Sequence, residues 1–294
     1  MQKPRSARCT SSASGQDGED TANHGFQQLN RATEFRLGDR VEFGRNVVFG
    51  PACRLVAIGF GSYIGDDVYI DAPEVNIGDY VKIHRGGLVH GYLPCLIGHN
   101  CWVGQSTIID SIGGAEIGNN VGIGAQSQLW SHIKFGDTLE GCRWNSSKKL
   151  VVEDDVWFVG HCIVSPIHAA RRSMLLVGGV ITIDMLENHV YGGVPARDLT
   201  DRIGRQFDPV PADKKRQRFE ALYREFLDSA GLNPADYKAT LVESLDGRAS
   251  SGRETYFCLD QRTYLPSRSE PEYRFMRFLL YDRAKFLPVE PGSC

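Results

Sequence analysis

"LGDRVEFGRNVVFGPACR", residues 37–54, is three six-residue units set end to end. An aliphatic or aromatic residue opens each unit, glycine follows it, and a small or β-branched residue stands fifth. The rhythm returns as IGDDVY from Ile64, IGDYVK from Ile77, IGHNCW from Ile97, VGQSTI from Val103, IGNNVG from Ile117 and IGAQSQ from Ile123. A period of six is neither the 3.6 of a helix nor the 2 of a plain strand, so each unit needs a short strand and a corner. Three units then close one coil, and successive coils stack. The opening residues, among them Ile64, Ile70, Ile77, Ile83, Ile97, Val103, Ile117 and Ile123, are expected to point into the coil. Gly tolerates positive φ and Asn and Asp tolerate αL, so all three suit the corners. A β-sandwich, with turns every ~8–12 residues, would not lock to six.

At 294 residues the chain can bury a full core, with room for one large domain and a small one. Apolar residues at 41%, charged residues at 23% and a formal charge of −3 lack the basic excess of a nucleic-acid footprint, so small molecules or proteins are the expected partners. No apolar run approaches the ~20 residues of a membrane span, and the first stretch has no apolar h-region, which points to the cytoplasm. The eight cysteines contain no CxxC pair, so reduced core thiols fit better than a disulfide frame or a zinc site.

The register slips near Pro94 and Cys95, again near Gly113 and Gly114, and most widely after Leu129. The next clean unit is VEDDVW at Val152, so about 17 residues must leave the coil as a loop. Long loops on a rigid scaffold are where chemistry tends to sit. The loop root reads LWSHIKFGD, residues 129–137, and holds His132 and Asp137.

With the segments DDVWFVGHCIVSP (154–166) and RRSMLLVGGVITIDMLENHVYGGVPARDL (171–199), the repeat resembles the hexapeptide acyltransferase family. The order of features is most similar to its sugar and antibiotic O-acetyltransferase branch. The likeness covers roughly residues 37 to 197 and includes a closing Gly193-Val194-Pro195-Ala196-Arg197 in place of the family's GNPAR-type signature. It implies a mainly β fold, a left-handed parallel β-helix over residues 34–200, working as a homotrimer. The hand comes from the family, since parallel crossovers are otherwise right-handed.

The resemblance also implies acetyl-CoA as co-substrate and a saccharide or other small hydroxylated acceptor. His132 falls where that branch has its general base, acting by direct transfer in a ternary complex. Imidazole, with a pKa near ~6.5, is tuned to take a hydroxyl proton at neutral pH, an effect typically worth ~10² to 10⁴ in rate. Trp157 would flank the pantetheine arm, Gly160, Gly178 and Gly179 would line it, and Arg197 would reach the nucleotide phosphates, where its planar fork suits paired bonds. Arg171 and Arg172 are looser phosphate candidates, and Asp137 is a candidate to orient His132 or touch the acceptor. Acceptor identity and O versus N transfer stay open. The segment HAARRSM around His168 and Ala169 departs from the family's pattern, is one residue short from Val164, and is expected to offset the last coils.

Two other readings remain. A bare coil can serve as a non-catalytic assembly scaffold. A γ-carbonic-anhydrase-like zinc site, suggested by His84, His90 and His99, fits poorly, because His84 and His90 are six apart and no histidine lies near residue 50. No metal is expected.

The ends differ from the middle. Residues 1–33 are polar and read as a disordered lead. Residues 201–294 read as a small α+β appendage. In it Phe219, Leu222, Tyr223, Phe226 and Leu227 form a helix stripe that stops at Gly231, TYFCL and TYLP suggest a hairpin, and Ser269 with Glu272 forms a capping box.

Overall fold

In the computed structural model, which describes residue 32 and residues 34–289, the six-residue units wind into a three-sided parallel β-helix. The lead expected over residues 1–33 lies, but for Ala32, outside the described residues. The first face is a seven-stranded sheet running from Glu34–Leu37 to His168–Ala169. The second is nine-stranded, from Glu42–Phe43 to Met174–Leu175 and a closing pair, Val190–Gly193 and Ala196–Asp198. The third is seven-stranded, from Val48–Phe49 to Val180–Ile181. The strands within each face are parallel, apart from that closing pair.

The opening residues do point inward. Ile64, Ile83, Val103, Ile123, Phe158 and Leu175 are successive register partners on the second face, each at most 1% exposed. Ile70, Val89, Ile109, Leu129, Val164 and Ile181 form the matching column on the third face. Each such side chain taken from water stabilises the coil by ~1.5–3 kcal/mol.

The corner chemistry differs from the sequence expectation for glycine. The left-handed residue is the fourth of most units: Arg40, Asn46, Asp67, Tyr80, Asn100, Ser106, Asn120 and Gln126 have φ between 55° and 61°, and Gly61, Gly86 and Gly178 hold the same place at 66° to 70°. The second-place glycine answers to contact between coils instead. A Cβ on Gly59 would stand 2.6 Å from the Asp79 nitrogen, and one on Gly104 would run into the Ala125 nitrogen. Second-place glycine is needed because backbones approach there, while the αL fourth place falls to Asn, Asp, several other side chains and the glycines Gly61, Gly86 and Gly178.

The offset expected from the short HAARRSM segment does not occur. Ala169 pairs with Val152 and Leu175 with Phe158, both in column. The corner before His168 shortens instead, with Ile167 still buried.

After the coil, a short helix, α1 (Thr200–Ile203), leads to α2 (Ala212–Ala230), whose Phe219, Phe226 and Leu227 are buried and whose end is capped by Gly231 in αL. The expected hairpin forms between Glu254–Cys258 and Thr263–Tyr264. Helix α3 (Glu270–Leu279) starts at Ser269, whose Oγ accepts the Glu272 N–H at 3.4 Å. The capping box is only half built, because the Glu272 carboxylate turns to Ser267, Arg268 and Thr255 rather than back to the Ser269 amide.

This appendage clasps the corner between first and second faces, one rung at a time. The Tyr80 carbonyl accepts from the Tyr281 hydroxyl, Asn100 Nδ2 donates to the Phe286 carbonyl, and Lys285 Nζ donates to the Asn120 carbonyl. Arg262 then grips buried Asp155 with two bonds of 2.5 and 2.9 Å. These coil residues are the αL fourth places of consecutive coils.

Candidate active site at the third corner

The site lies on the opposite edge of the coil, at the corner between the third and first faces. The strand Ile108–Asp110 buries Ile109 in the core and leaves Asp110 at its end, fully buried beneath the loop root. One coil later the chain leaves the third face at Leu129, and the loop departs as an antiparallel pair, His132–Lys134 against Asn145–Ser147. Its tip exposes Phe135, Leu139 and Trp144.

Asp110 organises this corner. Its Oδ2 accepts the Ser131 N–H at 2.9 Å, the Ser131 hydroxyl at 2.6 Å and Nδ1 of His132 at 2.9 Å. Burial pushes the Asp110 carboxyl up, but the bonds from Ser131 and His132 outweigh it and hold the group below the ordinary carboxylate value. An ionised carboxylate only accepts, so the proton in that contact belongs to His132 Nδ1 and the Nε2 lone pair is left facing out. The His132 side chain is 20% exposed, with Trp130 edge-on to its ring at 6.0 Å. A base oriented by a buried carboxylate, with its free nitrogen toward solvent, can accept a proton from a bound hydroxyl.

Asp137 takes no part in this. It sits at the loop tip, where Oδ1 accepts the amides of Leu139 and Glu140, so its work is to turn the loop. The residues that sequence reading missed are Asp110 and Ser131. The available signal was in IIDSIGG: an acidic residue directly after the inward Ile109, just ahead of a register slip.

The cofactor candidates cluster elsewhere. Trp157, 45% exposed, lies on the second face between Gly122 and Met174. Gly160 and Gly178 stack at the corner between second and third faces, joined by a Gly178 N–H bond to the Gly160 carbonyl, and the space beside Gly178 is open. Gly179 faces the other way: a Cβ there would strike the inward Leu175, so this glycine serves core packing and does not line an outer groove. Arg197 is exposed on Ala196–Asp198, at the top of the second face. Arg171 and Arg172 lie at the appendage's corner instead, Arg171 paired with Glu187 and Arg172 over the Phe207 ring. Gly160 and Gly178 therefore lie at one edge of the third face, with Trp157 beside them on the second, and His132 occupies the third face's other edge.

His84, His90 and His99 stand at three different corners, and among the described residues no three His, Cys, Asp or Glu side chains converge as metal ligands. A groove of about 580 Å³ is lined by Gly38, Phe60, Asp79, His99 and Arg268 beside the appendage and does not include His132. Six cysteines are described and all are free, five of them buried. No helix among the described residues is long and apolar enough to cross a membrane.

No family model and no curated protein matches the chain. Solved structures are similar over part of the chain. A point mutant of AntD, an N-acyltransferase from Bacillus cereus, in complex with dTDP-4-amino-4,6-dideoxyglucose and coenzyme A, is 16% identical with a TM-score of 0.42, over 66% of this chain and 91% of that one. A hexapeptide-repeat acetyltransferase from Vibrio cholerae O1 biovar eltor, complexed with acetyl coenzyme A, is 19% identical with a TM-score of 0.29, over 57% and 72%. The polysialic acid O-acetyltransferase OatWY is 17% identical with a TM-score of 0.40, over 63% and 89%.

Proposed function

We propose that this chain is a coenzyme A-dependent acyltransferase that moves an acetyl group from acetyl-CoA to a hydroxyl of a saccharide or similar small acceptor. The observation that carries the reading is the Asp110–His132 pair at the root of the protruding loop. In the reaction, Nε2 of His132 takes the proton of the acceptor hydroxyl as its oxygen attacks the thioester carbonyl carbon. The tetrahedral adduct collapses, the carbon–sulfur bond breaks, and the imidazolium returns its proton to the departing thiolate, giving ester and free coenzyme A. Asp110 holds the ring in the tautomer that leaves Nε2 bare and stabilises the imidazolium while it lasts.

Within one chain the pantetheine candidates Trp157, Gly160 and Gly178 are separated from His132 by the whole third face. A cofactor laid along the second–third corner of one copy would meet His132 of a neighbouring copy in a homotrimer. The outward column of the third face supports such packing, since its Tyr69, Leu88, Ile108, Ile163 and Val180 are apolar and partly exposed. The described thiols are unpaired, as expected of a protein working in the cytoplasm. Thiol release from acetyl-CoA in the presence of a glycoside panel tests the reading. His132→Ala should lower kcat a hundredfold or more, on the order of a lost general base. Undiminished turnover in that variant would remove His132 from the chemistry.

A further inference from the structure

Asp110 has a second oxygen that the proposed transfer leaves unused. While Oδ2 holds three donors, Oδ1 has only a long contact with the Ile112 amide, 3.4 Å, and faces Nε2 of His90 at 3.8 Å. His90 is the register partner of Asp110 one coil earlier, and its side chain is 34% exposed on the same corner as His132. On its other side the register partner is Asp71, whose carboxylate already accepts the Ala52 amide at 2.7 Å and the Tyr69 hydroxyl at 3.2 Å. Asp110 Oδ1 is thus the carboxylate oxygen turned to His90, and at 3.8 Å, beyond hydrogen-bond range, its charge still favours an N–H on the facing nitrogen.

We propose that His90 is an acceptor-binding residue and that the acceptor carries a second hydroxyl next to the one acylated, a diol of the kind saccharides present. The proposal rests on the acyltransfer reading. A carboxylate accepts only, so each imidazole turned toward Asp110 presents an N–H to it and leaves its other nitrogen as an acceptor. One buried carboxylate therefore bares two acceptor nitrogens on one corner, His132 Nε2 and His90 Nδ1. His90 and His132 lie two coils apart, one on either side of the Asp110 coil, and their rings converge on its one carboxylate, so two hydroxyls of one small acceptor can each donate one hydrogen bond. The reacting hydroxyl gives its proton to His132; its neighbour donates a hydrogen bond to His90 and keeps its proton. A simple alcohol would fill only one of the two places.

The test uses the full chain, acetyl-CoA, and methyl glucoside, galactoside and mannoside, each beside its singly deoxygenated derivatives. His90→Ala should raise acceptor KM about tenfold, the order of one lost hydrogen bond, with kcat within about threefold. His90→Gln, which restores a polar group, should recover part of that loss. Removing the hydroxyl next to the acylated one should weaken the native protein's KM by a similar factor and the Ala variant's not at all. An unchanged KM in His90→Ala, or a deoxygenation penalty that persists in it, would overturn the proposal. Should native protein release no thiol with any glycoside, the transfer reading itself fails. His90 is then judged by titrating ¹⁵N-histidine-labelled protein with the same glycosides: shifts at the ring nitrogens of both His90 and His132 support the two-imidazole site, and their absence sinks it.

Discussion

Replacing Asp110 with asparagine changes one oxygen to an amide at constant shape, so its consequences can be worked from three bonds. Oδ2 now accepts from Ser131 twice and from His132 once, at 2.6 to 2.9 Å. Bonds to a charged acceptor contribute ~1.5–3 kcal/mol each and neutral ones ~0.5–1.5, so weakening three of them should destabilise the fold by about 3–4 kcal/mol. For a chain of this size that is a drop of roughly 6–15 °C in Tm. The kinetic effect should be larger. The amide oxygen, kept at the Oδ2 position by the Ser131 N–H, carries no charge to stabilise the imidazolium that forms as His132 takes the proton, so kcat should fall by ~10² or more while acetyl-CoA binding holds. The stability difference should also depend on pH in one direction. Because the folded Asp110 carboxyl lies below its ordinary value, its contribution is complete above pH ~4 and fades as pH falls through the folded value. Thermal melts of both proteins between pH 7 and pH 3, with thiol-release kinetics at pH 7, read out all three effects. Full turnover in Asp110→Asn alongside the Tm loss would show that Asp110 anchors the corner and does nothing for His132.

Gly59→Ala should destabilise by about 1–3 kcal/mol, because the new methyl meets the Asp79 backbone of the next coil and neither backbone can yield; a urea melt measures it. Arg262→Ala leaves buried Asp155 without its bidentate partner and should cost about 3 kcal/mol, with faster proteolysis of the appendage than of the coil. Arg197→Ala should weaken coenzyme A binding more than dephospho-coenzyme A binding if its guanidinium meets the 3′-phosphate; equal losses in calorimetry would remove that role.

The coil was legible because a six-residue period fixes both which residue points inward and how many units close a turn. The helix stripe from Phe219 to Leu227 and the hairpin around Asp260 were legible for the same reason, being local patterns. What escaped were features set by the stacking of coils. Second-place glycines read as flexible corners, and Gly59 is a close-packed one, since the neighbour it must avoid belongs to the next coil. Asp110 is 22 residues from His132 and became its partner only when the loop root folded back over the preceding coil. Gly179 pointed inward rather than out, a choice that depends on which side of the corner the chain turns. The clasp between the appendage and the Tyr80, Asn100, Asn120 and Asp155 rungs joins segments more than a hundred residues apart, and no local pattern announces it.

The central claim is that this coil binds acetyl-CoA as the donor for a reaction at His132, and calorimetric titration of the purified protein with acetyl-CoA addresses it without knowledge of the acceptor. Saturable binding near one molecule per subunit, retained in His132→Ala, is the expected result. No heat of binding at millimolar acetyl-CoA would contradict the account and leave the coil as an assembly scaffold.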